Sequence, residues 1–244
     1  MHDTAKFFAK KFFETYLVKK NNLKIVDLGS YNYSGDVKEI FSKSHEYIGL
    51  DLEKGPNVNI VLDNPYKIPL EENSVDVVIS TSCFEHNEMF WLTFNEIQRI
   101  LKSNGLFYLN APSNGPYHAF PVDCYRFYPD SGKALAKWSN FSGFKNVIML
   151  ESFTGKQEKD VWNDYVSIFL KDKKFINEHP ERIINTLKTQ YYNGKIYNSE
   201  QTLNLSLKTE DQIYKPLKYT SRYEYLLYRG FNKLFRFIYL LFKK

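Results

Sequence analysis

Residues 24–37 read KIVDLGSYNYSGDV, and the reading of this stretch decides the fold. The apolar pair Ile25-Val26 leads into Asp27-Leu28-Gly29, the pattern of a buried strand ending in a turn where an open α/β sheet holds its ligand. A dinucleotide site asks for G-x-G-x-x-G, whose second glycine lets backbone amides close on a pyrophosphate. Here Ser30 and Tyr31 follow Gly29, and the next glycine is Gly35. Tyr31 would obstruct a pyrophosphate, so the loop favours a ligand without one.

Outward from this strand, short apolar runs recur at 46–50, 58–62, 75–80 and 106–110, and KNVIML (145–150) and DYVSIFL (164–170) supply two more. That makes seven expected strands. Between the fourth and fifth, Phe90, Phe94, Ile97 and Leu101 keep a helical period up to Asn104-Gly105. Residues 4–20 place Phe7, Phe8, Phe12, Phe13, Tyr16 and Leu17 at helical spacing, which predicts an amphipathic helix covering the sheet. Strands alternating with helices predict an α/β, Rossmann-like, mostly parallel sheet with helices on both faces. From about Lys171 the chain turns polar and rich in Asn, Lys and Tyr. The expected organisation is therefore one domain over 1–170 and a mainly helical appendage over 171–244.

A chain of 244 residues with 43% apolar content can bury one sizeable core and carry such an appendage. A net charge of +5 is too mild to argue nucleic-acid binding without a motif; it suits a small anionic substrate, or solubility alone. Cys83 and Cys124 lie far apart with no CxxC, so neither a disulfide framework nor a metal site is expected, and a reducing cytoplasm fits. The N-terminus has no uninterrupted apolar core of a secretory signal, and no stretch of about 18 uncharged apolar residues reads as a membrane span. The tail RGFNKLFRFIYLLFKK (229–244) carries five basic residues, no acid and a dense apolar stripe. It fits either a helix packed on its own domain or a second subunit, or one lying on the inner membrane surface.

The second strand ends in YIGLD, placing Asp51 about 20 residues after Gly29, where an acidic side chain accepts both hydroxyls of a ribose. IVLDN (60–64) and IPLEENSVDVVISTSCFEH (68–86) follow. In the order of its strand ends the chain resembles the class I S-adenosylmethionine-dependent methyltransferases over roughly residues 20–170. The resemblance implies a seven-stranded sheet whose last strand is antiparallel, and S-adenosylmethionine as cofactor, released as S-adenosylhomocysteine. It implies Asp27 and Gly29 near the methionine moiety, Asp51 on the ribose and Asp63 beside the adenine amine, with Ser30, Leu52, Asn64 and Ser80 completing the expected set. NAPSNGPYHAFPVDCYRFYPD (110–130) resembles a subset of these enzymes met among bacterial capsule and surface-glycan genes. The implied reaction is O-methylation of a small or glycan-linked acceptor, including phosphorylated or nucleotide-activated sugars.

Three prolines, Pro112, Pro116 and Pro121, stiffen that loop, and a stiff polar loop over a strand end suits substrate positioning. His118 is the expected base, Asp123 its orienting partner, and His86 a second catalytic candidate. Glu85, Tyr117, Tyr125 and Arg126 are expected acceptor contacts, Arg126 as an anion contact. Cys83 reads as a small packed residue. Two rivals remain open at this point. One is an NAD-dependent epimerase or dehydrogenase, disfavoured by the missing glycine. The other is an inert binding module that keeps the fold.

Overall fold

Eight strands form one sheet in the order β3-β2-β1-β4-β5-β7-β6-β8 in the computed structural model, which describes residues 3–31, 37–157 and 161–207. The strands are β1 (Lys24–Leu28), β2 (Glu46–Asp51), β3 (Ile60–Val61), β4 (Val75–Thr81), β5 (Leu101–Pro112), β6 (Ile148–Gly155), β7 (Asp164–Leu170) and β8 (Tyr191–Ile196). The pairs β1–β2, β2–β3, β1–β4 and β4–β5 are parallel, whereas β7 runs antiparallel to both β5 and β6, and β8 antiparallel to β6. The helices are α1 (Asp3–Phe12), which continues as a π turn over Phe13–Leu17, α2 (Lys38–Phe41), α3 (Phe90–Ile100), α4 (Asp130–Phe141) and α5 (Ile184–Leu187).

Successive residues of a strand face opposite sides, and the apolar runs use both. Ile25, Val77, Ile79, Leu106, Tyr108 and Val166 join one core with Phe8, Phe12 and Leu17 of the N-terminal helix and with Phe41 and Ile184. Val26, Leu28, Val78, Phe107, Leu109 and Phe169 join the other with Phe94 and Ile97 of α3 and Leu135 of α4. A register shift between Val75 and Val77 puts two residues separated by one position into different cores. The Phe12 ring stacks on Tyr108 at 4.9 Å and the Phe8 ring meets Phe153 edge-on at 5.4 Å, so the helix predicted at the N-terminus does cover the sheet.

Five expectations are corrected. The sheet has eight strands, because Tyr191–Ile196 pairs with the outer edge of β6. The compact unit therefore extends through Leu207, past the boundary expected at residue 170. Within 171–207 the chain forms short helical turns and this strand rather than a mainly helical appendage. Strand and helix do not alternate throughout either: residues 62–74, between β3 and β4, carry no helix. Side chains of α3 satisfy that segment's backbone instead. The Arg99 guanidinium donates to the carbonyls of Leu70 (2.9 Å) and Ile68 (2.7 Å), and Glu96 accepts from the Ile68 amide at 2.9 Å. Finally, α3 ends at Ile100 rather than at Asn104-Gly105, since Leu101 turns extended to pair with Val75. The tail helix expected over 229–244, and with it membrane or self-association, lies outside the described residues. Among those residues no helix is long and apolar enough to cross a membrane.

Candidate active site

The strand order reverses between β1 and β4, and the crevice beyond their carboxyl ends is where open α/β sheets bind ligands. A cavity of about 680 Å3 lies there. Its walls come from the ends of β1 (Leu28, Gly29, Tyr31), β2 (Asp51, Leu52, Glu53) and β3 (Leu62, Pro65, Tyr66). They continue through the turn after β4 (Thr81 to Cys83 and Glu85 to Glu88), the loop after β5 (Pro112, His118 to Val122) and the start of β7 (Trp162, Asp164).

At the β1 end, Gly29 has φ +85°, a left-handed conformation costly for any residue with a Cβ. A Cβ there would lie 2.6 Å from that of Cys83, so the turn after β4 closes directly on glycine. The Asp51 carboxylate accepts from the Tyr31 amide (2.9 Å) and the Leu52 amide (2.7 Å), which fixes its orientation toward the cavity. Tyr31 packs against Gly55, where a Cβ would come within 2.2 Å of its ring. Burial, reinforced by the charges of Glu85, Asp51 and Asp27, pushes the Cys83 thiol up to about 12, so it stays protonated and un-nucleophilic, in keeping with a packed residue.

The other end is built from two loops. Glu85 is buried; its carbonyl accepts from the amides of Cys124 (2.8 Å) and Tyr125 (3.2 Å), which ties the β5 loop to the turn after β4. Burial pushes the Glu85 carboxyl up to about 8; nearby Arg126 opposes this, and Asp164 and Asp123 add to it. Its Oε2 has no hydrogen-bond partner among the described residues. His86 sets Nδ1 2.6 Å from the Val122 carbonyl, and burial holds its pKa below the ordinary value, which keeps the ring neutral. The His118 ring meets that of His86 edge-on at 4.9 Å and that of Trp162 at 4.8 Å. Its Nδ1 is 3.4 Å from Asp123 Oδ2 and 3.5 Å from Arg126 Nη2.

Asp123 is the lock of this loop. It accepts from Arg126 Nη1 (2.6 Å) and Nη2 (2.8 Å) and from the His118 amide (2.7 Å). The Arg126 guanidinium beside it holds its carboxyl well below the usual carboxylate range. Arg126 also donates to the carbonyls of Pro116 and Tyr125 and lies over the Trp162 ring at 5.6 Å. Gly115, at φ +106°, allows that ring to approach to where its own Cβ would be.

Of the expected site residues, Gly29, Asp51, Leu52, Glu85, His86 and His118 line the one cavity. The others go elsewhere. Asp27 is buried and accepts from the Tyr47 hydroxyl of the neighbouring strand. Ser30 contacts the Asn57 carbonyl, and Ser80 donates to the Leu28 carbonyl. Asp63 and Asn64 are exposed beyond the cavity wall, Asn64 holding a turn through the Tyr66 amide. Tyr117 is 80% exposed. Tyr125 packs on Phe90 and Phe127 and donates to the Glu88 carbonyl. Arg126, expected as an anion contact, is spent on Asp123 and loop carbonyls because its fork matches them. Sequence reasoning missed Trp162 and Asp164. Their signal was topological: an antiparallel β7 must begin at the same edge where β4 and β5 end.

Residues 32–109 match the family model described as "Methyltransferase domain". A search of curated protein sequences gives no match. Among solved structures, the chain is similar to the 1,6-didemethyltoxoflavin-N1-methyltransferase of Burkholderia thailandensis, which holds bound 1,6-didemethyltoxoflavin and S-adenosylhomocysteine (TM-score 0.54, 17% identity, 70% of this chain and 80% of that one). It is also similar to an S-adenosylmethionine-dependent methyltransferase of Archaeoglobus fulgidus (TM-score 0.51, 14% identity, 68% and 93%). A third likeness is to a Galdieria sulphuraria protein described as a candidate sarcosine dimethylglycine methyltransferase (TM-score 0.51, 14% identity, 69% and 85%). Residues 32–109 thus match a methyltransferase-domain model, within a sheet that has the fold of S-adenosylmethionine-dependent methyltransferases.

Proposed function

We propose that this protein transfers a methyl group from S-adenosylmethionine to a hydroxyl of a small or glycan-linked acceptor. The observation that carries the reading is that Gly29 and Asp51 at one end, and His86 and His118 at the other, line one cavity. The cofactor fits these residues. A turn that admits only glycine leaves room for close backbone approach, and an amide-anchored carboxylate keeps lone pairs for two ribose hydroxyls. Leu52, Leu62 and Tyr66 offer an apolar wall to a purine. When bound, the cofactor supplies a methyl group on a sulfonium whose departing thioether is neutral, so no leaving-group acid is required.

The chain's task is then alignment, worth up to about 7–11 kcal/mol in favourable cases, and removal of the hydroxyl proton. His118 Nε2 is the proton acceptor, with Asp123 orienting the ring through Nδ1 and the backbone amide. Phe120, Pro121 and Val122 cover this end and keep water from the reacting oxygen. The sugar-class acceptor and a place in capsule or surface-glycan synthesis rest on the likeness of residues 110–130 to that subset of methyltransferases.

Calorimetric titration with S-adenosylmethionine, S-adenosylhomocysteine and NAD tests the reading. Both sulfur ligands should bind and NAD should not. Asp51→Ala should cost two hydrogen bonds to a charged acceptor, about 3 kcal/mol or more, hence roughly 100-fold in affinity. Failure of both sulfur ligands to bind would make the chain an inert module with this fold. With a hydroxyl acceptor in hand, full turnover by His118→Ala between about pH 6 and 9 would remove His118 as the base.

A further inference from the structure

The donor set at the acceptor end has a second use. Glu85, His86 and His118 each offer one ligand atom, and the three atoms lie within 4.8 Å of one another. Among the described residues no other three His, Cys, Asp or Glu side chains converge in this way. Both imidazoles are oriented from behind: His86 turns Nδ1 to the Val122 carbonyl at 2.6 Å, and His118 turns Nδ1 to Asp123 Oδ2 at 3.4 Å. A ring held at Nδ1 by a carbonyl or carboxylate presents Nε2, which is how protein ligands to transition metals are set. Asp123 is itself fixed by the Arg126 fork. Glu85, the third ligand, brings Oε1 to 3.7 Å from His86 Nε2, and its Oε2 is buried with no hydrogen-bond partner among the described residues, an arrangement that is costly unless a donor or a cation meets it.

We propose that Glu85, His86 and His118 form a site for one divalent transition cation of the zinc class, open toward the cavity. Two imidazoles and a carboxylate suit zinc, manganese, iron or cobalt rather than calcium or magnesium, which prefer all-oxygen shells. Three protein ligands leave a position free, as in catalytic rather than structural sites. Tetrahedral bonds of about 2.0–2.2 Å would bring the donors about 3.4 Å apart, so from separations of up to 4.8 Å the widest pair closes by up to about 1.4 Å on binding. The site stands on geometry independent of methyl transfer. If that reading holds, the open position faces the acceptor, where a bound cation holds its oxygen and acidifies its hydroxyl, the task of His118 in the cation-free site.

The test is titration of the full-length, chelator-stripped protein with Co2+, followed by its visible absorption and by calorimetry. One ion per chain is expected, with the absorption of four- or five-coordinate cobalt, and binding should fall at least 100-fold in both His86→Asn and His118→Asn. Should a variant fail to fold, the wild-type protein still answers: saturating Zn2+ should protect two of its histidines from diethyl pyrocarbonate. No saturable 1:1 binding, binding retained by both variants, or unprotected histidines would each overturn the site. Titration of the same samples with S-adenosylhomocysteine reports on the cofactor reading separately, because the histidines lie at the other end of the cavity.

Discussion

Replacing Asp123 by Asn tests whether the loop after β5 is held by one ion pair. The carboxylate makes three short contacts, with Arg126 Nη1 (2.6 Å), Arg126 Nη2 (2.8 Å) and the His118 amide (2.7 Å), and its side chain is 2% exposed. Asparagine keeps the shape but offers a single acceptor and no charge. At least one charge-assisted bond is lost, at about 1.5–3 kcal/mol, and the guanidinium keeps no counter-charge on that carboxylate. Breaking a buried pair from one side costs about 3–5 kcal/mol. Arg126 retains two carbonyl partners and is 22% exposed, so the expected loss is near the lower bound, about 3 kcal/mol. Urea unfolding followed by circular dichroism measures it, and a double-mutant cycle with Arg126→Gln isolates the pair, with a coupling of about 1.5–3 kcal/mol expected. Because the Asp123 pKa is depressed in the folded state, its stabilisation is full above the unfolded pKa near 4 and fades as pH falls through it. A loss or a coupling below about 1 kcal/mol would refute the reasoning and leave the loop held by aromatic packing around Phe90 and Trp162.

Three further outcomes are expected. Gly29→Ala should destabilise by about 2–4 kcal/mol in thermal unfolding, the sum of a left-handed backbone and a Cβ forced onto Cys83, and should also weaken S-adenosylhomocysteine binding. His179, lowered to about 4 by burial and by the charges of Lys20 and Arg182, is neutral when folded, whereas the unfolded ring takes a proton near 6.5. Stability is therefore full above about pH 6.5 and falls between 6.5 and 4, by about 1–3 kcal/mol; unfolding free energies measured across that window should lose this slope in His179→Gln. Tyr16→Phe removes the hydroxyl that donates to buried Glu151 at 2.6 Å, leaving only the Ile183 and Ile184 amides there. About 1–3 kcal/mol of chemical stability should go with it.

The sequence by itself determined what repeats locally. Val77-Val78 and Leu106-Phe107-Tyr108-Leu109 announce strands buried on both faces, because each residue must be apolar whichever way it points. Phe8, Phe12 and Leu17 announce the covering helix for the same reason at a different period. Gly29 and Asp51 were legible because a strand end followed by glycine, then an acid one strand later, fixes a place in any such sheet. Tertiary structure decided the rest, through contacts between residues distant in the chain. Asp27 and Asp51 look alike as strand carboxylates, but Asp27 lies inside its strand and takes the hydroxyl of Tyr47 from the neighbouring one, whereas Asp51 ends its strand and is held by loop amides. The polar stretch 191–196 became a strand only because β6 offered a free edge. Arg126 reads as an anion-binder until the loop folds and brings Asp123, three residues back, into its fork. His118 follows the adjacent pair Glu85-His86 by 32 residues, yet the ligand atoms of all three lie within 4.8 Å of one another, because parallel β4 and β5 end at one edge of the sheet and their loops meet there.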